Sequence, residues 1–427
     1  MENVVNKYLF IPGIKKCSEG TMVFKNLTPS IIISINAIKM QQLKFLLLFV
    51  IIWVSSQSAI SQEGGKALSY EVVYTGDVFG YSNSMHNPGS AYLGMVDLCL
   101  SLNTGNAGLW KNGEFYLQVE NTHGARPSAN MINDIQCISN IENGNYTYLY
   151  QLWYRQSFNK LSILLGVHDL NSEFLTSEYA GEYINSSFGI MPLISVNMPV
   201  SIFPKNTLGM VLRYAISSQL GCQLAVYDGD PLNLDEDPYC TNIKVNADEG
   251  LFSIAEIHFN GSGDKQTTSC YKLGAYYHSG YYLNLGDSVS RIKGNYGCFL
   301  MADQYLMHFG QKNKSKIGAF GQLGVAPSDR NMIDFYWAFG FNISSPFTRR
   351  SDDVFGIAIA NALISHHLTN VNLLPYKTFE SAIECMYKAK INKYFTVQPE
   401  FQYIINPGAQ YGTNNALVGL IRSYISF

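Results

Sequence analysis

Charged side chains are sparse in this sequence and aromatic ones plentiful, and the two recur together on neighbouring alternating segments. Glu114, Glu120 and His123 stand in or at the end of one segment, and Trp153 and Arg155 share a face of the next. A second group comprises Arg213, Glu256, Lys272, Glu384 and Lys388. Glu173, with Glu178, Glu182 and Tyr183, lies in a long segment over residues 171–197. Charges of both signs beside flat rings form no nucleophile–base pair. They suit weak, exchangeable binding, in which donors and acceptors replace hydration water and a solute can still leave.

Other chemistry has less support. The Gly-x-Ser-x-Gly elbow of hydrolases is missing. His366 and His367 are adjacent, so on a strand they would point to opposite sides and could not easily share a metal. Asp228, Asp230, Asp235, Glu236 and Asp237 lack the spacing of a helix–loop–helix calcium site and read as a solvated acidic loop. No cofactor is called for.

Positioning these residues is the work of strands. In Tyr92–Leu102 the even positions are Tyr92, Gly94, Val96, Leu98, Leu100 and Leu102. Phe115, Leu117 and Val119 alternate with Glu114, Tyr116, Gln118 and Glu120, which places His123 on the apolar side and leaves its use as a lumen residue open. Tyr148, Tyr150, Leu152, Tyr154 and Phe158 are read as one face, with Gln151, Trp153, Arg155 and Ser157 as the other. The same period of two recurs at residues 271–278, 334–342, 383–390 and 395–403. Short polar turns such as residues 157–160 and 391–393 join neighbouring segments.

Composition narrows the class. The 427 residues are 47% hydrophobic, 13% aromatic and only 14% charged, whereas soluble domains average about 25% charged. Disorder, collagen and coiled coil are excluded. A net charge of −3 gives no basic surplus for nucleic acid. The strongly apolar run Phe45–Val54 is too short for a membrane helix, which needs about 18 residues or more. Its flanks, with Ala59 and Ser61 before Gln62, read as a cleaved secretory signal over residues 40–61. Residues 1–39 then read as a non-native extension, with Met40 as an alternative start. Of 8 cysteines, Cys17 precedes this signal, and the rest are scattered without CxxC and read as small residues on strands.

An exported chain with many Tyr and Phe, few charges and a mean hydropathy of −0.00 fits an all-β transmembrane antiparallel barrel over residues 62–427. Apolar faces meet lipid, polar faces line water, and closure satisfies the backbone. At roughly 23 residues per strand, the length gives about 16 strands, with about 14 or 18 as neighbouring solutions. A barrel of this size holds an aqueous channel rather than a filled core. The terminal Phe427 shares a face with Ile425, Ile421 and Leu417, like the strand by which outer-membrane barrels are delivered to the barrel-assembly machinery.

Ordered motifs add a resemblance. They run Tyr74-Thr75-Gly76-Asp77, Asn87-Pro88-Gly89, Gly108-Leu109-Trp110-Lys111-Asn112-Gly113-Glu114-Phe115 and Tyr150-Gln151-Leu152-Trp153-Tyr154-Arg155-Gln156. Lys160-Leu161-Ser162, Gly166, Asn171-Ser172-Glu173-Phe174, Ser177, Ile184-Asn185-Ser186-Ser187-Phe188-Gly189 and Ala225-Val226-Tyr227-Asp228-Gly229-Asp230-Pro231 follow. In this order they resemble the carbohydrate-selective porin (OprB) family, with specific motifs in residues 74–231. The sequence departs from the family pattern after Gly76-Asp77, where Asn87-Pro88-Gly89 replaces paired glycines. The resemblance implies a passive outer-membrane channel of a Gram-negative bacterium for glucose-type sugars, narrowed by inward loops, with residues 171–197 as the expected inward loop. Carbohydrate solutes and outer-membrane lipid are the implied partners. The candidate residues above then become the sugar path. Trp153 as an interface aromatic and Arg155 as a purely stabilising charge are the alternatives for those two positions. A general porin, a barrel hydrolase with a lipid-facing Ser–His pair and a secreted β-sandwich adhesin are the competing readings for the whole chain.

Overall fold

The computed structural model describes residues 65–427 except 83–87, 232–233, 244, 246–248, 262–268, 311–314, 348–349 and 370–375. The expected extension and signal segment lie outside the described residues. Sixteen antiparallel strands close into one barrel. In chain order they are β1 (Leu68–Ser82), β2 (Gly89–Asn103), β3 (Gly113–Gly124), β4 (Tyr146–Phe158), β5 (Leu161–His168), β6 (Thr207–Ala215), β7 (Leu220–Asp228) and β8 (Leu251–Asn260). The second half has β9 (Cys270–Leu283), β10 (Arg291–Phe309), β11 (Ser315–Val325), β12 (Ile333–Ser344), β13 (Val354–Ile364), β14 (Phe379–Lys390), β15 (Phe395–Ile405) and β16 (Ala416–Ser426). No helix among the described residues is long and apolar enough to cross a membrane.

Each strand pairs with its sequence neighbours, and β1 pairs with β16 to close the sheet from Val73↔Ser426 to Ser82↔Leu417. Closure leaves no edge with unpaired backbone groups, which lipid could not satisfy. The outward positions Tyr70, Val78, Leu273, Phe339, Phe401 and Ile421 are exposed apolar side chains, which a bilayer would cover. Phe427 lies at the end where the chain enters β1, with Phe427 N donating to Val72 O at 3.0 Å and its ring 6.1 Å from that of Tyr394. That end carries the short turns, for example residues 159–160. The opposite end carries the long connections 125–145, 169–206 and 229–250.

Two expectations about faces need correction. On β4 the register slips between Gln118↔Gln151 and Val119↔Leu149, so Tyr150 is an extra residue. This β-bulge resets the alternation. Tyr148 and Tyr150 therefore turn inward and are buried, rather than sharing the outward face of Leu152. The inner wall is also not uniformly polar. Phe252, Tyr276, Phe299, Phe320, Tyr336, Ala338 and Ala358 point inward from β8 to β13 and are buried. They are covered by Phe174, Leu175, Phe188, Met191, Leu193 and Ile194 of the 169–206 connection, which folds into the barrel. The barrel thus encloses a second apolar layer, and water reaches only what this layer leaves uncovered.

Of the cysteines read as strand residues, Cys137 and Cys240 sit in connections instead, and the described cysteines are all free. His366 and His367 open a helical turn rather than lying on a strand, with ring centroids 4.1 Å apart.

Candidate functional site

The inward connection is fastened to the wall by side chains that the alternation directs inward. Small inner residues make room for it. A side chain at Gly318 would collide with the Tyr179 ring, and one at Gly356 with the Tyr183 hydroxyl. Tyr183 Oη donates to Asn342 Oδ1 at 2.7 Å, and Tyr336 Oη donates to Ser187 O at 2.7 Å. Glu384 accepts from the backbone N–H groups of Ile184 and Asn185 at 2.7 and 2.9 Å. Asp303 accepts from Ser177 Oγ at 2.5 Å and from Glu178 N at 3.0 Å.

Residues 125–145 form a second inward connection, which the sequence reading missed. Its segment-length signal was the same one that marked residues 171–197. Glu380 on β14 accepts from Ile135 N at 3.0 and 2.9 Å and from Gln136 N at 2.9 Å. Ser139 Oγ donates to Asp77 at 2.7 Å, and Arg422 Nη1 donates to Asn140 at 2.7 Å. Within the connection, Glu142 accepts from Ser128 N and Ala129 N, and its burial pushes its carboxyl up to about 7. Burial likewise pushes Asp169 up to about 6, against the hydrogen bond from Asn171 N.

The candidates converge where β3 to β9 meet Glu173. Arg155 Nη2 lies 2.7 Å from Glu173 Oε1, and Arg213 pairs with Oε2 of the same carboxylate. Gln223 Nε2 donates to the Glu173 carbonyl at 2.7 Å and to Glu256 Oε1 at 3.0 Å. Glu256 also accepts from Leu175 N at 3.2 Å. Lys272 Nζ donates to Thr176 O and Oγ1, both at 2.6 Å, and lies 3.9 Å from Glu256. Trp153 stacks on Tyr116 with centroids 4.8 Å apart and planes 19° apart, and the Arg155 guanidinium lies 4.8 Å from the Trp153 centroid. Behind the rings a polar ladder runs from Trp153 Nε1 to Gln151 (3.1 Å), from Gln151 to Gln118 (2.8 Å) and from Gln118 to Asp97 (2.9 Å). Glu114 stands across the sheet from Arg155 and accepts from Ser101 Oγ at 2.8 Å.

Not every candidate reaches this surface. Trp153, Arg155, Arg213, Glu114 and Lys272 face inward and remain partly open. Glu120 faces inward but is sealed by Tyr148, whose hydroxyl donates to it at 2.7 Å. Glu256 and Glu384 are buried as anchors of the inward connection. His123 is a correction. It points outward, 3.3 Å from the Tyr74 hydroxyl and near Tyr92, because it lies an odd number of residues from Glu114 and Glu120. Tyr116 belongs to the surface and was passed over, although its place between Glu114 and Gln118 on the polar face marked it.

A family model described as carbohydrate-selective porin, OprB family, matches residues 87–427. The chain belongs to that family. As an OprB-family porin it is an outer-membrane channel for carbohydrates. A curated relative, Porin B of Pseudomonas aeruginosa, is 24% identical over 356 residues, covering 73% of this chain and 77% of that one. The solved high-pH structure of Pseudomonas putida OprB overlays with a TM-score of 0.76 at 18% identity, covering 84% of this chain and 94% of that chain. The low-pH structure of the same protein gives 0.54 at 17% identity, with 84% and 93% covered.

Proposed function

We propose that this porin passes glucose-type sugars into the periplasm of a Gram-negative bacterium along the surface formed by Tyr116, Trp153, Arg155, Glu114, Arg213 and Lys272. The observation that carries this reading is the Tyr116–Trp153 stack with Arg155 against it, on a stretch of inner wall that the inward connections leave partly open. The stacked rings offer a flat apolar face to a sugar ring. The guanidinium and Glu114 offer a donor and an acceptor for hydroxyls. Each contact is weak and water can replace it, so the solute moves on. A substrate's hydroxyls need no reacting group here, and passage is diffusion.

The same reading has residues 40–61 removed on export and the Phe427 strand engaged by the barrel-assembly machinery. Outward Tyr, Phe and Leu side chains support lipid as the surrounding phase. In planar bilayers, Trp153→Ala should weaken glucose block of the channel roughly fivefold, the loss of about one aromatic contact. Equal block in both proteins would remove the aromatic pair from the sugar path.

A further inference from the structure

Charge at the proposed sugar path is distributed unevenly in depth. The Arg155 and Arg213 side chains are 24% and 38% exposed, while the Glu173 side chain between them is 6% exposed. Lys272 is 11% exposed and its partner Glu256 only 1%. The carboxylates sit behind, and the cations form the surface. One carboxylate also serves two guanidinium groups, so this sector holds three cations against two anions. Both arginines spend Nη2 on Glu173, and Arg213 spends Nε on Gln223. Their Nη1 groups have no acceptor among the described residues.

Beside this sector the sign reverses. Glu114 turns to Ser101 rather than to its cross-strand neighbour Arg155, and Asp97 lies on the next strand. The two signs therefore meet at the Glu114–Arg155 register pair, one inward row from the Tyr116–Trp153 rings. A neutral sugar uses neither sign fully. A sugar carrying a carboxylate at one end and hydroxyls along the rest matches both, because guanidinium forks receive carboxylates and carboxylates accept from hydroxyls.

We propose that the channel prefers sugar acids over neutral sugars, with the solute carboxylate held by Arg155 and Arg213 and its hydroxyls turned toward Glu114 beside the aromatic pair. The proposal rests on the sugar-path reading and narrows its substrate class. The guanidinium groups do not bind the anion tightly, since Glu173 already neutralises part of their charge and competes for them. Release is preserved for that reason.

The test uses the full chain in planar bilayers with two probes of similar size, D-gluconate and D-glucose. The ratio of half-blocking concentrations should favour gluconate by about tenfold, as one charge-assisted contact would give. In a KCl gradient the reversal potential of the wild-type channel should have the sign of chloride preference. Arg213→Gln should bring the gluconate-to-glucose ratio toward one. Lys272→Gln, at the rim of the same sector, should reduce it in the same direction should the first variant fail to assemble. Equal block by the two probes, or a reversal potential of cation sign, would overturn the proposal and leave the sugar path standing. No block by either probe would overturn both.

Discussion

Arg155 on β4 and Arg213 on β6 are joined through one carboxylate, that of Glu173, which belongs to neither strand but to the connection folded into the barrel. This bridge fixes the edge of the inward layer to the wall at the place where the proposed sugar path runs. It therefore couples the shape of the lumen to its charge.

Glu173→Gln should loosen that edge. Removing the carboxylate leaves two guanidinium groups close together with a neutral amide between them. Breaking a buried pair costs about 3–5 kcal/mol, but the Arg155 and Arg213 side chains are 24% and 38% exposed, so about 1–3 kcal/mol is expected after solvent screening. The midpoint temperature of the folded band on unboiled gels should fall, and current noise should rise. An unchanged midpoint with unchanged noise would show that the bridge does not hold the layer.

Gly318 and Gly356 are the places where the wall gives room to Tyr179 and Tyr183. Gly318→Leu should displace the inward layer while leaving the pairing with β12 intact, since Gly318 needs no positive φ and is in regular register with Asn342. Conductance should then increase and discrimination between sugars should decline. A variant with wild-type conductance and sugar block would mean that the layer does not narrow the path.

The seam between the first and last strands carries a directly opposed ion pair, Asp77 and Arg422, both buried, with Arg422 Nε and Nη2 each 2.7 Å from an Asp77 oxygen. Asp77→Asn should cost about 3–5 kcal/mol, because an unpaired guanidinium would stay buried beneath residues 139–140. Replacing both by apolar residues should restore much of that loss. The readout is the urea midpoint of barrel unfolding in detergent. Equal midpoints for the single variant and wild type would contradict this.

Two half-buried carboxyls in the inward connections set a pH dependence. Glu142 is raised to about 7 and Asp169 to about 6 by burial. A group raised above its unfolded value binds its proton more tightly when folded. Its contribution to stability is complete below the ordinary values of 4.5 and 3.8 and is lost as pH rises through about 6 to 7. Backbone amides of residues 125–145 should therefore exchange faster at pH 8 than at pH 5 after correction for intrinsic rates. Glu142→Gln should remove part of that difference. Corrected rates that do not change with pH would refute it.

Much of this was legible from the period of two. Alternation placed Glu114, Arg155, Lys272 and Glu384 on the inner side without any knowledge of pairing, and length put the strand number at about 16, with about 14 or 18 beside it. Register was not legible, because the bulge at Tyr150 leaves no mark in a run of Tyr, Leu and Gln. Neither was the second layer. Tyr336, Ala338 and Gly340 alternate with Phe339 just as they would on a wall facing water, and only the packed connection shows why they are small or apolar. Whether an inward carboxylate meets solute or a backbone N–H depends on that layer, which is why Glu256 and Glu384 looked like Glu114 in the sequence, and Glu120 was closed off by the bulge-turned Tyr148. His123 shows the reverse case, in which alternation alone was the better guide.

A solute path for carbohydrates runs through this barrel. Single-channel recording of the full-length chain in planar bilayers, with glucose and then maltose titrated against a fixed salt current, tests it most directly. A saturable fall in current with glucose is the expected result. A current that stays constant at every concentration of both sugars would contradict the account.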